Sequence, residues 1–309
     1  MSQGAALRFL ALGTVMPFAS AACSVRAEHS TVPAETPDAA AVSVVPASSV
    51  APAVVASARA VSPPGAMILL KGGRFKMGSD GVGYGTEDEG PSRFLTLPSF
   101  RMDVTEVTVS AYRACVQAGD CETPAMNKSS NPTSCNWNFD HTDDDPVECV
   151  TWHQAVAYCK WSGKELPTED LWEYASRGKD GRDFPWGRSV RGHDWGAPDD
   201  LNERVNGRCR GQRRAAGLEN HTCPVGGAPK GDTPEGIHDL GGGVGEWTAS
   251  PFCKYDKPGC GSPLRSVRGG PSHLAEELRG VHRFGFVPEM AFQDVGFRCA
   301  QRLEDAKSP

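Results

Sequence analysis

Eleven cysteines in 309 residues constrain this chain more than any other feature. One of them, Cys23, stands near the N-terminus. The other ten are Cys115, Cys121, Cys135, Cys149, Cys159, Cys209, Cys223, Cys253, Cys260 and Cys299. An even set of thiols in an exported chain reads as a disulfide framework, which favours a loop-rich fold held by cross-links. Neighbours in sequence give the local pairs Cys115–Cys121, Cys135–Cys149, Cys209–Cys223 and Cys253–Cys260. Cys159 and Cys299 are left to close a loop of about 140 residues, worth roughly 4–5 kcal/mol by chain entropy. Zinc is the weaker reading, because no Cys-x-x-Cys pair occurs anywhere.

Export is read from the first residues, "MSQGAALRFLALGTVMPFASAAC". Arg8 precedes an apolar run from Phe9 to about Ala22, short for a bilayer span and right for a signal peptide over 1–22. "SAAC" resembles the lipobox of bacterial lipoproteins, which implies acylation of Cys23 and a membrane anchor at the cell envelope. Ser20 stands where Leu or Val is usual. Cleavage after "ASA" is the alternative and gives a soluble periplasmic or secreted protein. Residues 23–65, rich in Ala, Val, Ser and Pro without an aromatic residue, read as a disordered tether.

The folded part is expected over 66–303, followed by a tail at 304–309. With 38 acidic against 32 basic residues the chain lacks the basic surplus that phosphate neutralisation needs, so nucleic acid is not an expected partner. "AMILLKGGRFKMGSD" reads as a strand, a Gly-Gly turn and a second strand, and "RFLTLPSFRMDVTEVT" continues in extended form. "TVSAYRACVQAG" reads as a helix capped by Thr108 or Ser110 and stopped at Gly119. Two further helices are expected in "VTWHQAVAYCKWSGKELPTEDLWEYASRG". Thr151 caps the first, which buries Trp152, Val156 and Cys159 and ends at Gly163; Thr168 caps the second. Beyond Gly178 the chain reads mostly as loop. The acid runs Glu87 to Glu89 and Asp143 to Asp145 read as solvated faces, and "GRCRGQRR", Gly207 to Arg214, as a solvated basic loop. The fold class is α+β.

In this order "GGRFKMGS", "DVTEVTVSAYRACV", "DPVECVTWHQAVAYCKWSGKELPTEDLWEYASRG", "FPWG", "DLGGGVGEWTAS", "VRGG" and "VGFRCAQR" resemble the formylglycine-generating enzyme family. This is the sulfatase-modifying-factor domain, a variant of the C-type lectin fold. The resemblance runs from about Met67 to Arg302 and implies that Cys159 and Cys299 form a structural disulfide.

The loop "DLGGGVGEW" resembles the family's Asn/Asp-x-x-Gly-Asn-Val-Trp-Glu-Trp segment. Its match implies a Ca²⁺ held by the side chains of Asp239 and Glu246 and the carbonyls of Gly242 and Val244. The chemistry agrees, since Ca²⁺ takes six to eight hard oxygens and glycines let carbonyls turn inward. Gly243 and Gly245 replace the family's Asn and Trp. The alternative is a glycine turn with two solvated acids. A second family Ca²⁺ site implies Asn202 and Glu203, but "AAGLENHT" supplies no Asp at the position of its later ligand.

Oxidase members of the family bind copper through two cysteines after "RGG", which suits a soft Cu(I) ion. Counted from Gly270, those positions are Leu274 and Arg279, with Pro271 in place of a Ser beside the metal. Neither residue replaces a thiolate, so copper is not expected. An iron site from His273, His282 or His238 and a carboxylate, and a Ser272–His273 pair, are weaker candidates. Arg279 and Arg283, in "LRGVHR", match the pattern of non-catalytic members. The chain is therefore expected to be a non-catalytic binding or scaffolding module for a peptide, glycan or envelope protein. The alternative is a formylglycine-generating oxidase, or another metal-dependent oxygenase, with an altered centre.

Overall fold

The computed structural model describes residues 65–80, 87–125, 135–187, 204–205, 222–270 and 275–303. All belong to the unit 58–309. Residues 1–22, nearly all of 23–65 and the tail 304–309 lie outside the described residues, as do Cys23 and the segment Gly207 to Arg214.

Among the described residues, nine short strands and three α-helices alternate with long loops. The strands are β1 (Met67–Leu70), β2 (Gly73–Met77), β3 (Arg93–Leu97), β4 (Phe100–Asp103), β5 (Gly245–Pro251), β6 (Arg265–Arg268), β7 (Arg283–Phe286), β8 (Val295–Gly296) and β9 (Ala300–Arg302). The helices are α1 (Val109–Ala118), α2 (Trp152–Trp161) and α3 (Glu169–Arg177). The strands form three sheets, ordered β1-β4-β9, β2-β3 and β7-β6-β5-β8. Among the described strand pairs, β5–β8 is parallel and the others are antiparallel.

The strands flanking Gly72-Gly73 do not pair with each other. β1 pairs with β4, Leu70 opposite Phe100, while β2 pairs with β3, Met77 opposite Arg93. The glycines hand the chain from one sheet to the next. A Cβ on Gly72 would lie 2.2 Å from the Leu97 carbonyl oxygen, so no side chain fits there.

The helix ends follow their capping residues, with one exception. Thr108 Oγ1 accepts from the Ala111 amide at 3.2 Å, and Gly119 ends α1 in the left-handed region at φ 82°. Thr151 and Gln154 form a reciprocal capping box on α2. Thr168 stands at the N-cap of α3 but makes no side-chain cap bond. Ser250 Oγ instead accepts from Glu169 N and Asp170 Oδ1 from Leu171 N, each at 3.0 Å. A strand from the other half of the sequence caps this helix.

The segment beyond Gly178, which reads as loop, carries five of the nine strands. The central strands β5 and β6 escape the usual alternation because they bury charge as well as carbon. In β6, Ser266, Val267 and Arg268 are all buried. Arg268 is fully enclosed, donating to Glu169 Oε1 (2.9 Å), Glu173 Oε2 (2.7 Å), the Tyr255 hydroxyl and the Gly280 carbonyl. Burial alone would raise the Glu173 carboxyl, but Arg268 and Arg177 outweigh it and hold the group below its usual range.

Two apolar clusters flank this network. One gathers α1, α2, Trp247 and Phe297 around Cys159 and Cys299; the other packs β1, β2, β4 and α3 with Ile237 and Leu240. The described bridges are Cys115–Cys121, Cys135–Cys149, Cys159–Cys299 and Cys253–Cys260. Cys223 is also disulfide-bonded, while Cys209 lies outside the described residues. Four bridges belong to a chain that folds in an oxidising, extracytoplasmic compartment.

Candidate functional site

The loop from Asp239 to Glu246 joins the second apolar cluster to β5. Its two acids are not solvated: Asp239 is 9% exposed and Glu246 is fully buried. Asp239 takes a left-handed backbone at φ 60°, and its Oδ2 accepts from the Gly226 amide at 2.5 Å. Gly243 is also left-handed, at φ 58°, and a Cβ there would collide with Glu106 Oε1. The glycine run lets the loop close over a buried carboxylate.

Arg298, fully buried, is the counter-charge. Its Nη2 and Nε donate to the two oxygens of Glu246 at 2.7 and 2.8 Å, and Trp172 Nε1 donates to Glu246 Oε2 at 2.8 Å. Its remaining donors reach the carbonyls of Asp103, Val104 and His238. Glu106, at the end of an apolar-rich stretch, adds a third acid. Its Oε2 lies 3.8 Å from Arg298 Nη2 and is buried without a hydrogen-bond partner. Burial first, then Asp239 and Glu246, push the Glu106 carboxyl well up, with Arg298 opposing. Burial also raises Asp239, against the Gly226 amide and Arg298.

Three carboxyl groups therefore surround one guanidinium, and burial opposes the charged form of two of them, Glu106 and Asp239. They are gathered about Arg298 rather than one point: among the described residues, no group of three or more His, Cys, Asp or Glu side chains is placed to hold a metal ion. A Ca²⁺ ion held by two side chains and two carbonyls is a different arrangement from such a group. Glu246 uses three of its roughly four lone-pair directions, leaving one open. The Glu106 Oε2 atom, buried without a hydrogen-bond partner, is a further oxygen in this pocket. Sequence reasoning missed Glu106, although its signal is there: an acid set among Val104, Val107 and Val109 in a segment that buries all four.

The positions of the copper thiolates are occupied differently. Leu274, Pro271, Ser272 and His273 lie outside the described residues. Arg279 Nη2 donates to both oxygens of Glu89, at 2.7 and 2.9 Å. Glu89 is fully buried, which corrects the reading of a solvated face at that residue, and Asp145 in the second acid run is buried while Asp143 and Asp144 are exposed. Arg283, also buried, donates to Glu169 Oε2 at 2.6 Å. His238 is taken up by Asp232, Nδ1 to Oδ1 2.7 Å, and His282 is buried against Phe284. The second Ca²⁺ pair, Asn202 and Glu203, lies outside the described residues.

Fold and site together define a mixed α+β, C-type-lectin-like domain stapled by disulfides and built around buried arginine–carboxylate clusters. Residues 52–303 match the family described as sulfatase-modifying factor enzyme 1-like domain. The chain belongs to this formylglycine-generating-enzyme family. It is 30% identical over 276 residues to the inactive C-alpha-formylglycine-generating enzyme 2 of Mus musculus, covering 76% of this chain and 85% of the relative. It is 29% identical over 290 residues to the formylglycine-generating enzyme of Streptomyces coelicolor, covering 75% and 88%. Among solved structures, PvdO from Pseudomonas aeruginosa superposes with a TM-score of 0.62 at 23% identity, covering 79% of this chain and all of that one. That last likeness is one of fold.

Proposed function

We propose that this domain is a non-catalytic member of its family, exported and anchored to the cell envelope through an acylated Cys23, serving as a binding or scaffolding module. The observation that carries the reading is Arg279, which stands at a copper-thiolate position and is locked by two hydrogen bonds to the buried Glu89. A guanidinium is no soft ligand, and its donors are turned to the Glu89 carboxylate. The inactive relative in mouse supports the same reading. Peptides, glycans and other envelope proteins are the expected partners, met by long loops on a cross-linked frame. Titration of the full chain with Cu⁺ against a chromophoric chelator is expected to show no one-to-one complex. A tight complex would return the altered-centre oxidase to the front.

The reading includes a structural Ca²⁺ on Asp239, Gly242, Val244 and Glu246. Binding to the folded state alone stabilises by mass action, about 2.7 kcal/mol at a hundredfold excess over Kd. The melting temperature is therefore expected to rise with Ca²⁺ and fall with EDTA. Glu246→Gln is expected to abolish the difference between the two conditions. Superimposable melting curves with Ca²⁺ and EDTA would remove the ion from this account.

A further inference from the structure

The four described bridges differ in their access to solvent. Cys115, Cys135, Cys149, Cys159 and Cys299 are 0% exposed and Cys121 is 8% exposed. The fourth bridge is split between two environments: Cys253 is buried, whereas Cys260 is exposed together with Asp256, Lys257, Pro258 and Gly259.

The loop between these sulfurs has a fixed foot and a free tip. Tyr255 is the foot. Its hydroxyl donates to Glu173 Oε2 at 3.2 Å and accepts from Arg268 Nη1 at 3.0 Å, and its carbonyl accepts from Arg93 Nη1 at 2.9 Å. The Arg283 guanidinium lies 4.4 Å from the Tyr255 ring centroid and donates to the Cys253 carbonyl at 2.8 Å. None of these bonds depends on the bridge. The tip beyond Tyr255 forms one wall of a cleft of about 290 Å³, faced by Met77 and Arg93 at the end of the β2–β3 ribbon and by the N-terminus of α3.

We propose that Cys253–Cys260 is a thiol–disulfide exchange site that opens this cleft, with an external dithiol as the reductant. The two sulfurs are unequal. Cys260 is the exposed residue of the pair, so its Sγ takes the attacking thiolate. Cys253 Sγ is the leaving sulfur. It accepts a hydrogen bond from the Cys260 amide at 3.2 Å, which favours a departing thiolate. The first step forms a bond between the dithiol sulfur and Cys260 Sγ and breaks the bond to Cys253, which takes up a proton. The second thiol of the reductant then displaces Cys260. The dithiol leaves as a disulfide, having lost two electrons, and Cys253 and Cys260 become thiols. The tip is released while Tyr255 keeps the loop's foot in place.

The test exposes the folded full chain to dithiothreitol for graded times, then quenches with iodoacetamide and maps the labelled cysteines. Cys253 and Cys260 are expected to be labelled at least about tenfold faster than the six cysteines of the other three described bridges, because those require local opening first. The far-ultraviolet circular dichroism is expected to persist, with amide exchange rising at residues 256–260 only. With a monothiol in place of the dithiol, the mixed disulfide is expected on Cys260 and the alkyl group on Cys253. Reduction of all four bridges in step with unfolding would overturn the proposal. Earlier reduction of one of the other three, or a mixed disulfide on Cys253, would do the same.

Discussion

Arg298→Met is expected to destabilise the domain by about 3–5 kcal/mol, the cost of leaving a buried charge without its partner. The guanidinium is fully buried and serves both oxygens of Glu246 together with the carbonyls of Asp103, Val104 and His238. Without it Glu246 keeps only the Trp172 indole as a side-chain partner, and Glu106 and Asp239 lose the cation that opposes their burial. Arg298→Lys is expected to rescue little, since an ammonium cannot reproduce the paired donors. The sign of the pH dependence follows from the direction of the shifts. A carboxyl whose folded pKa lies above its unfolded one penalises folding at higher pH, and that penalty fades as pH falls toward the unfolded value. Removing Arg298 raises these carboxyls further, so the variant's deficit is expected to shrink between about pH 8 and about pH 5. Urea unfolding of both proteins at the two pH values checks it. A deficit below about 1 kcal/mol would mean that Arg298 is not the counter-charge of this pocket.

The joint replacement Cys159→Ala with Cys299→Ala is expected to cost about 5 kcal/mol in chain entropy, with a further loss from the buried volume removed. The bridge spans 140 residues of sequence and ties α2 to the segment entering β9. Both cysteines are 0% exposed, inside the cluster formed with Tyr112, Tyr158 and Phe297. Against a typical total of about 5–15 kcal/mol, such a loss brings the domain close to unfolding at ambient temperature. Cys253→Ala with Cys260→Ala, whose bridge spans seven residues, is expected to cost only about 2 kcal/mol on the same reasoning. Equal effects from the two pairs in urea unfolding would show that loop length does not govern their contribution.

The parts of this fold that are legible in the sequence are those written locally. Thr108, Thr151 and Gly119 mark helix ends because a cap is a contact between neighbours in the chain. The strands β5 and β6 are not legible that way. Their arginine and glutamate satisfy partners on α3 and near β9, so charge occupies positions where alternation would place carbon. The same cause hides Glu89, whose partner Arg279 is 190 residues away. Asp239 and Glu246 stand out through the glycines around them. Their relation to Arg298 and Glu106 exists only after β5 and the segment entering β9 come together.

A non-catalytic member of this family does not perform the oxidation for which the thiolate pair is needed. The full chain is incubated with Cu⁺, O₂, a thiol reductant and a cysteine-containing peptide, and the peptide is weighed by mass spectrometry. The peptide cysteine is expected to remain a cysteine, while the formylglycine-generating enzyme of Streptomyces coelicolor serves as the positive control in a parallel reaction. Aldehyde formation by this chain would contradict the account and show that catalysis proceeds without cysteines at positions 274 and 279.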